Sequence, residues 1–467
     1  MPSSMVKEQA SNQGDASVFP RFKLKDDFSQ DALRSTGKNN SIEINYGTNN
    51  EEFLQSIALQ LKGQMLTQEE CAKHLAEWKS NTRLRRIDWA LRLCDEWGIN
   101  PQPTFSYRDP WKEQHPLMLP AVQKKTKREL GAVFMYFFNC PGKVNAKVSW
   151  SNNHVPGMDA SSDFLKVSDK DTGYYNPRTM SFWYRELLDA RSAGLQFLLL
   201  NTYGPDMEQG KLAPIVPAYE QMLKDGVKDP MPVGLFDDTW SWGKPYFGEK
   251  WKVIPDMAKT EECAQLIYTY KWKPFFAKVP REHWYLFQGK PLVYFYNGGT
   301  LKNRSQGGPV FARLKELFRQ DFGVEPFICI DSAFANEEAL KVADGSFVWY
   351  SLGKSVEDST RSHKGVSLTH GMVRWDSTSR ANKSKERRQR PGDKIYKDDT
   401  LLVKFLNDSK ESDLAVMATW NDLGEGTGIN RCTDYYWANS WWEPSVFMKQ
   451  TRASQEGKEL QPLRVKE

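Results

Sequence analysis

From Gly131 onward the chain alternates short apolar runs with longer amphipathic stretches, a rhythm that predicts parallel strands joined by helices. Eight runs stand out: Ala132–Phe138, Leu195–Leu200, Pro232–Phe236, Pro291–Tyr296, Pro326–Ile330, Ser346–Tyr350, Gly365–Thr369 and Asp413–Thr419. Such a count suits a (β/α)8 TIM barrel in the α/β class, with a doubly wound sheet as the competing arrangement. Between the runs, Pro177 to Ser192 places Met180, Trp183 and Leu187 on one helical face, and Gly194 supplies a stop. Further helices are predicted over Thr260–Tyr268, Val310–Phe318, Asn336–Val342 and Asp398–Phe405, whereas the polar stretch Ser351–Lys364 predicts none.

Ahead of the barrel the pattern changes twice. Residues 1–48 are rich in Ser, Asn, Gln, Lys and Asp and poor in apolar side chains, the composition of a disordered leader. Residues 49–128 read as a helical extension: Phe53, Ile57 and Leu61 share a face, as do Leu84, Ile87, Leu91 and Cys94. Because short helices are marginal alone, they are expected to pack onto the main domain, with Trp89 and Trp183 as core side chains. The barrel itself spans 129–445, and 446–467 reads as a polar C-terminal tail.

Composition narrows the partners. A net charge of +5 on 467 residues is too weak to argue for nucleic acid. The basic runs Lys124-Lys-Thr-Lys-Arg128 and Lys383-Ser-Lys-Glu-Arg-Arg-Gln-Arg390 read as solvated loops. The six cysteines have no paired spacing and read as free thiols, Cys329 as a small buried hydrophobe. No apolar stretch approaches the roughly 20 residues of a membrane span, and Met1-Pro-Ser-Ser-Met-Val-Lys lacks a signal-peptide core. The expectation is a chain without a membrane partner, cytoplasmic as encoded, or secreted if a leader has been removed. No pattern fixes an oligomeric state.

In a barrel, chemistry gathers just past the C-terminal ends of the strands. Those positions hold Asn201 and Tyr203, then Asp237, Asp238, Trp240 and Trp242, then Tyr296, Asp331, His370 and Arg374, and finally Trp420, Asn421, Asp422 and Glu425. Carboxylates, amides and aromatic rings in one set suit an oligo- or polysaccharide, whose hydroxyls take polar contacts and whose apolar faces lie on rings. Trp375, Trp437, Trp441 and Trp442, in loops with polar neighbours, join Trp240 and Trp242 as candidate ligand contacts.

The last loop, Ala418-Thr-Trp-Asn-Asp-Leu-Gly-Glu-Gly-Thr-Gly-Ile429, says most. It sets Asp422 and Glu425 three positions apart, beside Asn421 and Trp420, a pairing that can divide the proton transfers of acetal cleavage. The competing reading is a helix capping box, but capping does not call for Gly424, Gly426 and Gly428, which let backbone approach a ligand closely.

With Trp420-Asn-Asp-Leu-Gly-Glu-Gly-Thr427 in hand, the chain resembles the barrel glycoside hydrolases of family 99, endo-α-mannosidases and endo-α-mannanases, which carry Trp-Asn-Glu-Trp-x-Glu-Gly-Thr after the last strand. The Asp and Gly inside the motif look more like family 71, the fungal α-1,3-glucanases. The resemblance covers roughly Gly131 to Pro444 and implies a glycosidase acting on an α-linked glycan without a cofactor. It makes Glu425 the general acid and Asp422 the base, acting on water or on the sugar 2-hydroxyl. Asp422 stands where family 99 has Glu, which bears against the 2-hydroxyl route.

Two other readings compete. Asp237-Asp238 resembles a zinc-deacetylase start, but no His-x-x-x-His accompanies it, and Asp169-Lys-Asp-Thr-Gly173 opens like a calcium loop with Met180 where its Glu belongs. No metal is therefore expected. The alternative function is a carbohydrate-binding barrel that no longer catalyses, against which the retention of both Asp422 and Glu425 argues.

Overall fold

The computed structural model describes residues 41–45, 50–80, 86–99, 104–108, 122–136, 177–202, 208–242, 254–349, 360–375, 398–422, 427–431, 436–437, 440–442 and 445–463. The predicted calcium-like turn, the basic run Lys383–Arg390, and residues Tyr203 and Glu425 lie outside that set.

Eight parallel strands form the barrel: β1 (Glu129–Phe134), β2 (Phe197–Thr202), β3 (Val233–Asp238), β4 (Lys290–Tyr296), β5 (Phe327–Asp331), β6 (Gly345–Phe347), β7 (Val366–Met372) and β8 (Leu414–Ala418). Each bonds to its successor from β1 to β6, β7 bonds to β8 and β8 to β1, and β6 lies against β7, so the sheet nearly closes. Strands covered on both sides need unbroken apolar runs, and β2, Phe-Leu-Leu-Leu-Asn-Thr, is buried throughout. All eight sequence runs correspond to these strands, and the doubly wound alternative is set aside by the β8–β1 pairing.

The helices of the barrel are α4 (Met180–Ser192), α5 (Ile215–Lys224), α6 (Thr260–Ile267), α7 (Gly307–Phe322), α8 (Glu337–Val342), α9 (Thr400–Asp408) and α10 (Val446–Gln455). A π-helical turn, Tyr268–Trp272, carries α6 on into Lys273–Lys278. No helix is described between β6 and β7; there Thr360–His363 pairs antiparallel with β7.

Three expectations are corrected. Residues 446–455 are not tail but the helix that follows β8; Val446, Phe447 and Met448 are buried, and so are Gln450, Thr451, Ser454 and Gln455, whose polarity disguised the face. Arg128 is not solvated: it donates to Leu406 O, to Ser409 Oγ at 2.7 Å, to Ser454 Oγ at 2.6 Å and to Gln455 Oε1 at 3.1 Å, joining β1 to α9 and α10. The leader ends in order, since Ser41–Asn45 pairs in parallel with Thr104–Arg108. The extension, α1 (Asn50–Lys62), α2 (Gln68–Ser80) and α3 (Arg86–Glu96), buries Phe53, Ile57, Trp89 and Leu93 in a cluster separate from the barrel core. Trp183 is in the barrel core and Trp89 in that cluster, both fully buried, as expected; Cys329 is buried on β5. No described helix is long and apolar enough to cross a membrane.

Candidate functional site

The last loop is fastened to the barrel before it reaches its acids. Trp420 N donates to Val133 O at 2.7 Å. The Asn421 side chain then acts like one more peptide unit against β1: its Oδ1 accepts from Met135 N at 2.6 Å and its Nδ2 donates to Met135 O at 2.8 Å. Asp422 N donates to Thr419 Oγ1 at 2.9 Å, and Thr427 N donates to Asp422 O at 3.1 Å, so the two ends of the segment holding Glu425 meet. Asp422 itself is buried.

A buried charge network on α4 braces the same loop from behind. Trp420 Nε1 donates to Glu186 Oε2 at 2.6 Å, and Arg431 holds Asp189 with Nε and Nη2 at 3.0 and 3.2 Å. Arg185 Nη2 donates to Arg431 O at 2.7 Å. Sequence reasoning missed Glu186, Asp189 and Arg431. The available signal was Glu186 and Asp189 set three and six positions after Trp183, on the helix face that had to be buried.

Across the mouth, alternation along β3 separates two neighbouring acids. Asp237 turns to the helices, where Lys271 Nζ donates to it at 2.7 Å and Trp272 Nε1 at 2.8 Å, both also missed from sequence. Asp238 is buried; Trp240 N donates to its Oδ1 at 2.9 Å, and Lys271 donates to its carbonyl at 2.7 Å. Burial pushes the Asp238 carboxyl above its usual range, against the lowering effects of Lys271, Trp240 N and the Asn201 amide. Asp331, closing β5, is raised by burial too, with Ala333 N donating to its Oδ1 at 2.8 Å.

Between these acids the lining is aromatic. Tyr296 stacks on Phe236 with centroids 5.5 Å apart, and Trp349 lies 4.7 Å from Tyr296, 5.4 Å from Phe236 and 5.0 Å from His370. Contacts from β3 and β4 to the segment after β6 span the barrel interior, so these rings point inward. The rim is stiffened where Gly298 N donates to Thr239 Oγ1 at 2.7 Å; a Cβ on Gly298 would come within 2.0 Å of Trp240 N, which only glycine avoids.

The predicted contacts therefore divide. Asn201, Asp238, Trp240, Tyr296, Asp331, His370 and Asp422 sit at or inside the strand-end face, with Trp240 and Tyr296 partly exposed. Five others are engaged by partners within the fold. Asp237 is spent on Lys271 and Trp272; Trp242 is buried with Lys271 Nζ 5.4 Å from its ring centre; Trp420 is fully buried against Glu186; Asn421 is bonded to β1; and Arg374 is buried with its guanidinium 5.6 Å from the Phe447 ring. Trp375 and Trp442 are likewise packed into apolar clusters, and the side chains of Trp437 and Trp441 lie outside the described set.

Residues 141–445 match the family described as a domain of unknown function (DUF5010). No curated protein is significantly similar to the chain. Among solved structures it is similar to the GH99 endo-alpha-mannosidase from Bacteroides thetaiotaomicron in complex with bis-tris propane, at 11% identity over 70% of this chain and 97% of that one, with a TM-score of 0.47. The same enzyme on its own matches at 10% identity over 70% and 97%, TM-score 0.46. A glycoside hydrolase-like protein matches at 13% identity over 72% and 96%, TM-score 0.42.

Proposed function

The chain belongs to the family described as a domain of unknown function (DUF5010), and from its site we propose that it is a glycoside hydrolase cleaving an α-linked glycan. The observation that carries the proposal is the placing of Asp422 immediately beyond β8, on a loop bonded to β1, to Thr419 and to Thr427, at the same face of the barrel as Asp238, Tyr296 and Trp349. An acid whose backbone is held at both its N–H and its C=O meets the positional demand of acid–base work, and partly exposed aromatic rings meet that of sugar binding.

In the proposed reaction Glu425 gives its proton to the glycosidic oxygen as the bond to the anomeric carbon breaks. Asp422 takes a proton from water, or from the sugar 2-hydroxyl, as the new bond to that carbon forms. Asp238, Asp331, Asn201, Tyr203, Tyr296, Trp240 and His370 hold the sugar. The test is product release from α-glucans, α-mannans and aminosugar polymers by the wild type, Glu425→Gln and Asp422→Asn. Loss of a defined product in both variants is expected. Wild-type turnover in each would remove the assignment, and a glycan bound equally by all three but cleaved by none would establish a binding protein instead.

A further inference from the structure

Asn201 is the fifth residue of β2 and stands in register with Phe236 on β3, so its side chain shares the inward face with Phe236 and, two positions on, with Asp238. It is buried, its Nδ2 donates to Met135 Sδ at 3.1 Å, and its amide acts on the Asp238 carboxyl, which sets the two side chains together. Among the described residues Asn201 Oδ1 has no hydrogen-bond partner, and a buried acceptor left unmet is unfavourable unless something supplies a donor. Asp238 is short of charge at the same place. Its Oδ1 accepts from Trp240 N at 2.9 Å, but Lys271, the cation that acts on it, bonds its ammonium to the Asp237 carboxylate at 2.7 Å and reaches only the carbonyl of Asp238. Two adjacent carboxylates therefore share one cation.

We propose that Asn201 and Asp238 receive the ammonium of a sugar ring, so that the glycan cleaved is an α-linked hexosamine polymer with free amino groups. The inference rests on the glycoside-hydrolase reading and names its substrate class. A hydroxyl has one hydrogen to give and no charge, so it meets Asn201 Oδ1 or the carboxylate but not both. An ammonium has three hydrogens and the charge that Asp238 lacks, and it meets both at once. An N-acetyl group keeps a single N–H without charge, and a uronic acid would bring a like charge to a buried carboxylate. The aromatic platform adjoins the pair: Phe236, in register with Asn201, lies 5.5 Å from Tyr296 and 5.4 Å from Trp349, where the apolar face of the sugar can rest. Neighbouring groups do not repel a cation. His370, 5.0 Å from Trp349, is kept neutral by burial, and the Arg374 guanidinium lies against Phe447 of α10. Asp331 and Asp422, on the same strand-end face, add acids rather than bases.

The experiment measures kcat/KM on matched α-linked oligosaccharides of a hexosamine, its N-acetylated form and the parent hexose, for the wild type, Asp238→Asn and Asn201→Leu, with a thermal melt of each protein. The wild type is expected to prefer the free amine by roughly tenfold or more, because a site built around a charge and its hydrogen bonds rejects analogues that lack them. Asp238→Asn, which keeps the shape and loses the charge, is expected to lose far more activity on the hexosamine than on the hexose. Asn201→Leu follows in the same direction to a smaller degree. A wild type that cleaves hexose or N-acetylhexosamine oligomers as well as the free amine overturns the inference and leaves the hydrolase reading standing. So does a folded Asp238→Asn whose losses are equal on all three, since a merely structural role moves them together. If the wild type cleaves no oligomer, the hydrolase reading falls first and takes this one with it. Should the variants fail to fold, the preference of the wild type decides alone.

Discussion

Asp237 and Asp238 are adjacent in sequence and opposite in duty. The two-residue period of a strand sends one to the helix layer and the other to the barrel interior. Asp237 is thereby bound to Lys271, with the two side chains 0% and 1% exposed. Breaking a buried pair from one side strands the other charge, at a cost of about 3–5 kcal/mol. Lys271→Met is expected to destabilise the protein by that amount in urea unfolding, more than Lys259→Met, whose partner Glu262 is exposed. A loss for Lys271→Met no greater than for Lys259→Met would show that water reaches Asp237. This distinction was not legible in the sequence. The end of a strand is known there to within a residue or two, and one residue is enough to exchange the inward acid for the outward one.

The loop after β8 works as an element because α4 and β1 hold it from two sides. Glu186 accepts from the Trp420 indole at 2.6 Å, and Asn430 Nδ2 reaches its other oxygen at 3.4 Å. If these contacts position Asp422, Glu186→Ala lowers kcat on a cleaved glycan by ten- to a hundredfold with little change in KM, because misplacement by about an ångström costs on that order. Glu186→Gln keeps an acceptor for the indole and retains most of the rate. Identical losses in both variants, or a loss confined to KM, would contradict a positioning role. The eight strands were legible because fully covered strands must be apolar on both faces. α10 was not legible, since Gln450, Thr451, Ser454 and Gln455 are polar yet buried, their groups met by Asp399, Phe447 O, Arg128 and Gly194 O. The motif acids are proposed from the loop itself, but the α4 braces lie more than two hundred residues earlier, and nothing local to the motif points to them.

At the scale of the whole molecule, two buried groups set opposing slopes of stability with pH. Asp399, at the start of α9, accepts from Leu463 N at 2.8 Å and from Gln450, yet burial raises its pKa to about 6 from the ordinary 3.8. The folded state then binds this proton more tightly than the unfolded one, so stability present below pH 3.8 is lost as pH rises through about 6. His370 is the reverse case: burial lowers its pKa from 6.5 to about 3, so the unfolded chain takes up the proton first and stability falls as pH drops below 6.5. Between pH 4 and 6 each contributes a slope of up to about 1.4 kcal/mol per unit, of opposite sign, and the two largely cancel in the wild type. Asp399→Asn removes the falling limb, so its melting temperature should climb with pH across that window more steeply than the wild type's. His370→Phe removes the rising limb and should make the melting temperature decline there. Parallel curves for all three proteins would mean that neither group stays dry in the folded state. Opposite departures would tie the pH response to two sites at different places in the fold, one joining α9 to the C-terminal helix and one inside the barrel.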